Sequence, residues 1–318
     1  MGINVYNTYS KYLLNKYGEK VYKLPISLSL SCPNRDGNLG EGGCAFCGEE
    51  GGSFENLPNH LSVKDQILIN MEHIRKRYKA NKFIAYFQNF SNTYLPLDDF
   101  KKYVNQALIE DIVEISISTR PDCINDKYLD FLCDIKYNLG IDITIELGLQ
   151  SVNYHSLAKV NRGHTLAEFI DAVLRIKNYG LRVCTHLILN LPWDDLLDVI
   201  ENSKIISSLR IEEVKLHSLY IVDNTEMGKQ YKNGEINIIS KEEYTNRVIT
   251  FLEYLDPNIV IQRIIGRAPE ENTLFVNWNE SWWKIRDEIV SSMKENGRYQ
   301  GSKFDYLNGK ALKNLCKL

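Results

Sequence analysis

Three cysteines in one short, glycine-rich stretch are the residues of this sequence best suited to chemistry. Cys32, Cys44 and Cys47 follow the spacing C-x11-C-x2-C within "SCPNRDGNLGEGGCAFCGEE", residues 31–50. Three thiols cannot all pair as disulfides, but three thiolates can hold a metal centre and leave one coordination position open. Glycines and short polar residues between the first two cysteines leave the loop free to fold around a bulky group. The stretch therefore predicts a metal site.

The spacing alone leaves the kind of metal centre open. A structural zinc ion normally takes four ligands, so His60 or His73 would have to supply the fourth. No second C-x2-C or H-x3-H pair stands nearby in the sequence. An iron–sulfur cluster held by three thiolates leaves one iron open to a substrate or cofactor. We therefore expect a 4Fe–4S cluster, with structural zinc and ordinary buried cysteines as the alternatives.

Alternating strand and helix patterns surround this loop and must position it. Apolar segments typical of strands occur at 23–31, 83–90, 113–119, 142–150, 182–190 and 213–221. Amphipathic patterns typical of helices lie between them, at 62–79, 97–110, 165–179 and 194–209. Repeated strand–helix units predict a parallel α/β sheet, either doubly wound or an open barrel. In both arrangements functional residues lie at the carboxyl ends of the strands.

The pattern changes near residue 223. A connection at 224–237 is followed by helical patterns at 240–255 and 279–297, with a short strand pattern at 258–266 between them. This segment is too short to be a separate catalytic domain. We therefore predict a core over 1–222 and a C-terminal α/β extension over 223–318 that closes the open side of the core.

The composition indicates an ordinary globular protein. The chain has 318 residues, of which 44% are hydrophobic and 25% charged, and its formal net charge is −3. That balance argues against a protein that coats nucleic acid non-specifically, and we expect no DNA partner. Neither a membrane-spanning apolar run nor a signal-peptide core is visible. The odd count of seven cysteines is typical of free thiols or metal ligands. We expect a cytoplasmic location.

Several separated motifs together resemble a known enzyme family. They are "YGEKVYKLPISLSLSCPNRDG", "GGCAFC", "STRPD", "ELGLQS", "NRGH" and "RYQG", in this order along nearly the whole chain. The sequence resembles radical S-adenosylmethionine (SAM) enzymes, in the bacterial subfamily related to the Elongator catalytic subunit. Its eleven-residue first gap departs from the usual C-x3-C-x2-C spacing and is similar to that branch. The resemblance implies a partial (β/α)6 TIM-like barrel.

The resemblance also implies the cofactors and the residues that bind them. The open iron of the cluster would bind SAM, whose cleavage yields a 5′-deoxyadenosyl radical that removes a hydrogen atom from the substrate. Gln150 and Arg162 are similar to a pair that contacts SAM in related enzymes. Ser118 and His186 correspond to the region where relatives bind the ribose. Gln88 falls where many relatives carry a glycine-rich turn, and this chain has "FQNF" there instead.

Four cationic or imidazole side chains are candidates for substrate binding and catalysis. Arg120, in "STRPD", would either bind an anionic substrate group or brace its loop through Asp122. Lys215 and His217 alternate with apolar neighbours on the sixth strand pattern, so both could face the barrel lumen. Arg263 in the C-terminal strand pattern could join them. The alternative for Lys215, His217 and Arg263 is a solvated position at the rim.

The remaining cysteines and the main basic run predict no further site. Cys123, Cys133, Cys184 and Cys316 have no ligand spacing among themselves, which argues against a second cluster. The basic run 73–82 ends a predicted helix, where cations favour the helix dipole. We interpret this run as a solvated helix end, and an RNA-backbone contact is the minor alternative.

The resemblance points to tRNA as the substrate. Within the subfamily it implies remodelling of the 5-carboxymethylaminomethyl side chain of the wobble uridine to the 5-aminomethyl form. Arg120, Lys215 or Arg263 could hold the carboxylate of that side chain. A flavodoxin or ferredoxin is the expected electron donor. The alternatives are a radical SAM enzyme acting on a small molecule, similar to the coproporphyrinogen oxidases, and a non-enzymatic zinc- or cluster-binding interaction protein.

Overall fold

A seven-stranded parallel sheet organises the protein. A computed structural model describes residues 4–49, 51, 56–267 and 272–312. The strands of the sheet, in spatial order, are β1 (Val21–Ile26), β2 (Lys82–Phe87), β3 (Ile112–Thr119), β4 (Asp142–Gln150), β5 (Arg182–Ile188), β6 (Glu213–His217) and β8 (Val260–Arg263). Every neighbouring pair is parallel. The predicted α/β fold with a partial TIM-like barrel is confirmed.

Helices connect the strands, as parallel pairing requires. They are α1 (Tyr9–Tyr17), α2 (Val63–Tyr78), α3 (Leu97–Gln106), α4 (Asp126–Leu139), α5 (Tyr154–Lys159), α6 (Leu166–Asn178), α7 (Leu196–Ser208), α8 (Glu226–Lys232), α9 (Lys241–Tyr254) and α10 (Trp282–Glu295). Side chains cap the N-termini of two of them. The Ser62 side chain accepts a hydrogen bond from the Asp65 backbone, and Thr165 forms a capping box with Glu168.

The strand bounds differ from the sequence prediction at two places. The first strand was predicted to run to Ser31, but β1 ends at Ile26, and a non-regular segment leads to Cys32. The sixth strand was predicted to run to residue 221, but β6 ends at His217. Residues Ile221–Val222 form a separate strand, β7, which pairs antiparallel with β9 (Thr273–Phe275). Periodicity cannot detect such breaks, because apolar residues continue through them.

The last strand of the sheet, β8, closes part of the barrel but leaves one side open. Strand β8 pairs with β6, and β1 with β2, so that β1 and β8 are the two edges of the sheet. Helix α1 lies between these edges, and Thr8 just before it forms a parallel bridge with Ile261. The Ile261 backbone also donates to the Asn7 carbonyl at 2.8 Å. The N-terminal segment is therefore fixed to the C-terminal strand.

The barrel interior is polar, and its outside is apolar. Along β3 and β4, Ile115, Ile117 and Ile145 are fully buried in the main hydrophobic core with the surrounding helices. The alternate positions carry Glu114 and Glu146, which have no solvent exposure and hydrogen-bond to polar side chains from other elements. A TIM barrel is normally filled by branched apolar side chains. A charged lumen is therefore a sign that this interior binds something.

Residues from the C-terminal region cover the cysteine loop. The Met227 backbone, in α8, donates to the Ala45 carbonyl at 2.9 Å, and the Ala45 backbone donates to the Val160 carbonyl at 2.9 Å. These three residues belong to one small hydrophobic cluster with Leu219 and Ile221. The loop is thus held between α8, β7 and the segment after α5.

Candidate active site

The cysteine loop folds through glycine turns at the carboxyl end of the barrel. Gly37, Gly42 and Gly43 adopt φ angles of 91°, 76° and 85°, a region that other residues rarely enter. The Cys47 backbone donates to the Cys44 carbonyl at 2.9 Å, so the C-x2-C pair forms a tight turn. These turns direct Cys32, Cys44 and Cys47 towards one cavity of about 430 Å³ in the barrel lumen.

Arg35 fixes the second half of this loop and was missed from the sequence. Its Nη2 donates to the backbone carbonyls of Cys47 and Gly48 at 2.9 and 2.8 Å. The guanidinium also lies 5.4 Å from the centre of the Phe90 ring. An arginine between two cysteines could have been noticed, but its target is backbone, which leaves no pattern in the sequence.

The thiols fit a centre larger than one metal ion. Four-coordinate zinc holds its sulfurs about 2.3 Å away, which puts them roughly 4 Å from one another. Among the described residues, the one group of three metal-ligand side chains within 4.8 Å of each other is Glu146, Cys184 and His186, and not the three cysteines of the loop. His60 and His73, the proposed fourth zinc ligands, are exposed and do not line the cavity. Spread around one cavity, the thiols suit a 4Fe–4S cluster.

The Glu146, Cys184 and His186 group is itself a poor cation site. Lys23 and Lys215 both form ion pairs with Glu146 and already neutralise its charge. Cys184 is fully buried, and burial raises its thiol pKa well above the usual value. Cys316 lies outside the described residues.

Arg162 and Gln150, the residues expected to contact SAM, meet beside the cysteine loop. The Arg162 Nη1 approaches the Cys44 Sγ at 3.3 Å, and its Nη2 donates to the Gly148 carbonyl at 2.8 Å. A Cβ at Gly148 would lie 2.7 Å from that Nη2, so only glycine leaves room for the guanidinium. The Nε of Arg162 is buried without a partner among the described residues. Gln150 also lines the cavity.

Gln150 holds a strained backbone conformation at the end of β4. Its φ is 77°, and the pairing of β4 with β5 shifts register between Gly148 and Gln150. A left-handed conformation costs a residue other than glycine about 1–3 kcal/mol, and such strain is concentrated at functional sites. The bulge brings the amide to the cavity wall, which supports the interpretation of Gln150 as a ligand-binding residue.

Arg120 is occupied by its own loop. It is 2% exposed, and its Nε and Nη2 donate to the two Asp122 carboxylate oxygens at 2.8 and 2.6 Å. The guanidinium holds the pKa of the Asp122 carboxyl below its usual value against the effect of burial. Of the two roles predicted for Arg120, this geometry supports bracing rather than binding of an anion. The nearby His164 contacts the Gly148 carbonyl at 3.0 Å, and burial lowers its pKa to about 3, so it is neutral.

Ser118, His186 and Gln88, the other candidates for SAM binding, also line the cavity. The Ser118 hydroxyl donates to the Tyr86 hydroxyl at 3.1 Å. The His186 Nε2 lies 2.7 Å from a Glu146 carboxylate oxygen, and burial lowers the pKa of His186 to about 4. The neutral imidazole of His186 therefore donates a hydrogen bond from its Nε2 to the Glu146 carboxylate.

Glu146 is the centre of a buried network that sequence reasoning missed. Its carboxylate accepts hydrogen bonds from Lys215 at 2.5 Å and from the Ser116 hydroxyl at 2.7 Å, and it is ion-paired with Lys23. Lys215 therefore faces the lumen, as predicted, instead of the rim. The only signal was a polar residue at alternate positions of "DITIELGLQ", which cannot show what it contacts.

His217 and Arg263 lie at the boundary of the inner cavity with a second one. The Arg263 Nη2 is 2.7 Å from the His217 Nδ1. Both residues line the 430 Å³ inner cavity and also a neighbouring outer cavity of about 910 Å³. The outer cavity is bounded by the two sheet edges, β1 and β8, and by α10. It thus forms a side entrance on the open edge of the barrel.

Comparison with known proteins places these features in a family. A model described as the radical SAM superfamily matches residues 30–202, and one described as the radical SAM C-terminal domain matches residues 211–295. The uncharacterized protein YtqA of Bacillus subtilis is 33% identical over 305 residues, which cover 95% of this chain and 94% of YtqA.

Two other matches are more distant. A tRNA uridine(34) acetyltransferase of Methanocaldococcus jannaschii is 27% identical over 165 residues, which cover 49% of this chain and 28% of that protein. The solved structure of Methanocaldococcus infernus Elp3 with its N-terminus deleted has a TM-score of 0.68 at 18% identity, and covers 88% of this chain and 64% of that chain. This second match shows a shared fold. No described helix is both long and apolar enough to cross a lipid bilayer.

Proposed function

Because the chain belongs to the radical SAM superfamily, whose enzymes use a 4Fe–4S cluster and SAM, we propose that it modifies the wobble uridine of tRNA. The proposed reaction converts the 5-carboxymethylaminomethyl side chain to the 5-aminomethyl form: SAM would be the two-electron oxidant, ending as 5′-deoxyadenosine and methionine, and water would cleave the oxidised C–N bond, so that the carboxymethyl carbons leave as glyoxylate. The similarity to a tRNA uridine(34) acetyltransferase supports the choice of base.

Each part of the cavity has a task in this proposal. Cys32, Cys44 and Cys47 hold the cluster, and Arg162 and Gln150 hold SAM next to it. When bound, cluster and SAM supply a carbon-centred radical that can remove a hydrogen atom from an unactivated carbon. The protein orients the substrate and excludes water and oxygen. A flavodoxin or ferredoxin is the proposed electron donor.

The outer cavity is the observation that best supports a nucleic-acid substrate. At about 910 Å³ it is roughly twice the volume of the inner cavity, and it opens on the side of the barrel. Its wall combines the aromatic rings of Tyr22 and Trp282 with the cationic side chains of Lys20 and of Arg286, the latter paired with the neighbouring Asp287. Aromatic faces that stack bases, and cations that meet phosphates, are the usual means of binding single-stranded RNA. A base still attached to its RNA can enter here and reach the lumen.

The test is conversion of a defined tRNA by the reconstituted enzyme. Protein loaded with iron and sulfide under anaerobic conditions is incubated with SAM, dithionite and tRNA that carries 5-carboxymethylaminomethyluridine. Nucleosides from the digested tRNA are then measured by mass spectrometry. We expect 5-aminomethyluridine with the wild type and none with Cys44→Ala, while Cys133→Ala, a cysteine outside the cavity, remains active.

The same reconstituted protein distinguishes the proposed function from a small-molecule substrate and from a structural zinc site. Formation of 5′-deoxyadenosine with coproporphyrinogen but not with tRNA would replace the RNA by a small molecule. A deletion strain with an unchanged tRNA nucleoside profile would also count against the proposal. A colourless protein that binds zinc and leaves SAM intact would return the cysteines to a structural role.

A further inference from the structure

Arg263 lies at the passage between the two cavities, with no anionic partner among the described residues. Its Nη2 contacts the imidazole of His217, and within the same part of the chain its buried Nε has no hydrogen-bond partner. No carboxylate of the described residues forms an ion pair with Arg263, whose side chain could otherwise take one in a bidentate manner. A buried donor left unpaired is costly, so this arrangement indicates a missing ligand.

The buried carboxylates of the lumen already have cationic partners within the protein. Glu146 pairs with Lys23 and Lys215, Glu213 with Arg182, and Glu114 with Lys16, in each case a cation from another element. Arg263 adds a positive charge to this set without a matching negative one. Lys23, Lys215 and Arg263 line the inner cavity together with the acidic Glu146. The inner cavity therefore carries an excess of positive charge.

The surroundings of Arg263 fix the guanidinium in place. A Cβ on Gly266 would lie 3.1 Å from the Arg263 Cζ, so the guanidinium packs closely on the backbone of that glycine. On its other side, His217 accepts from one Nη2 hydrogen. Burial and the nearby guanidinium both lower the pKa of His217 well below its usual value, so His217 is neutral and its ring nitrogen can accept from Arg263. The Nε, and the Nη donors not used by His217, remain for a ligand.

We infer that Arg263 is the specificity-determining residue that binds the carboxylate of the substrate side chain. This inference rests on the proposed function and deepens it, because Arg263 would separate the substrate from its product. The 5-carboxymethylaminomethyl side chain carries a carboxylate, and the 5-aminomethyl product carries only an amine. The product loses its contact with Arg263 and meets an excess of positive charge, so it leaves the site. Arg120 and Lys215 are already paired with Asp122 and Glu146, which leaves Arg263 for this role.

The test compares the affinities of two RNAs that differ only in this group. Anticodon stem-loops with 5-carboxymethylaminomethyluridine or 5-aminomethyluridine at the wobble position are titrated, by fluorescence anisotropy, into cluster-loaded protein with SAM and no reductant. A charged hydrogen-bonded contact corresponds to a preference of roughly tenfold or more for the carboxylate form in the wild type. Arg263→Gln should abolish the preference, because it weakens binding of the carboxylate stem-loop and removes a charge that repels the aminomethyl one.

Two further variants sharpen the result. Arg263→Lys keeps the charge but not the planar fork of donors, so it should retain part of the preference. Arg175→Gln removes a surface arginine of α6, paired there with Asp126 and Asp171, and should behave as the wild type. Iron content and absorbance confirm that each variant holds its cluster.

The outcomes distinguish this inference from the proposed function. A wild type that prefers the carboxylate stem-loop, together with an Arg263→Gln variant that keeps the same preference, overturns the role of Arg263 and leaves the proposed function standing. A wild type that shows no preference between the two stem-loops but still converts the tRNA also overturns the role of Arg263 and leaves the proposed function standing. If the wild type neither binds nor converts the tRNA, the proposed function fails, and the inference fails with it.

Discussion

Replacing Glu146 by glutamine should strongly destabilise the protein. The side chain of Glu146 has no solvent exposure, and it is paired with Lys23 and Lys215 and hydrogen-bonded to His186. Glutamine keeps the size of the side chain but removes the negative charge. Two buried or half-buried ammonium groups, with side chains 17% and 7% exposed, then lose their counter-charge.

The expected loss follows from the cost of an uncompensated buried charge. Removal of one partner of a buried ion pair typically costs about 3–5 kcal/mol, against a total free energy of unfolding of about 5–15 kcal/mol for a folded domain. At a urea dependence of about 3 kcal/mol/M, such a loss lowers the midpoint of unfolding by about 1 M or more.

Urea unfolding of the cluster-free protein in reducing buffer measures this loss without a contribution from cluster binding. The matched control is Glu72→Gln, which breaks an exposed pair with Lys76 on α2 and should leave the midpoint unchanged. The double variant Glu146→Gln/Lys215→Met should recover part of the loss, because it also removes one of the stranded charges. A midpoint for Glu146→Gln equal to that of the wild type would refute the reasoning.

The effect should also depend on pH in a defined direction. Its cationic partners hold the pKa of Glu146 well below the usual carboxyl value, despite the opposing effect of burial. A carboxyl with a lowered folded-state pKa stabilises the protein above its unfolded-state pKa of about 4.3, and this contribution is lost as the pH falls towards the folded-state value. The difference between wild type and Glu146→Gln should therefore be full at about pH 7 and shrink below about pH 4.

Three further predictions test other parts of the site. Arg35→Gln removes the donor that holds the Cys47 and Gly48 carbonyls, so the absorbance of the cluster should decay several-fold faster in air, and an unchanged decay would contradict this. Gln150→Gly relieves the left-handed φ of 77° and should raise the free energy of unfolding by about 0.5–1 kcal/mol. It should also weaken SAM binding in calorimetry, and wild-type affinity would exclude Gln150 as a ligand. Burial raises the pKa of Asp194 to about 6, so Asp194→Asn should stabilise the protein by about 2–3 kcal/mol at about pH 8. That gain should decrease as the pH falls through about 6, and an equal gain at about pH 5 would contradict it.

Local patterns were sufficient to predict the fold class and the metal loop. The period-two apolar residues of 142–150 predicted β4 with its observed bounds, because a long buried strand leaves a continuous signal. Cys32, Cys44 and Cys47 could be identified together because their spacing is a property of one loop. Gln150 and Arg162 were recognised by the resemblance of their motifs to a family. In the structure both line the cavity of the cysteine loop, and Arg162 contacts the Cys44 Sγ.

The charges of the lumen could not be assigned from the sequence. Glu146 contacts Lys23, which is 123 residues away, and Lys215, which is 69 residues away. Which cation meets which acid depends on the register between parallel strands, and no single segment records that register. The same holds for Arg263, whose strand spans only four residues.

The sequence by itself thus determined the strand–helix order, the cysteine loop and the kind of chemistry. Only the tertiary structure decided that Arg120 is neutralised by Asp122, while Arg263 has no acid beside it in the described part of the chain. The physical reason is that electrostatic balance is a property of distances in space. We propose different functions for these two arginines of equal charge because one has a carboxylate within hydrogen-bond reach and the other lines an open cavity.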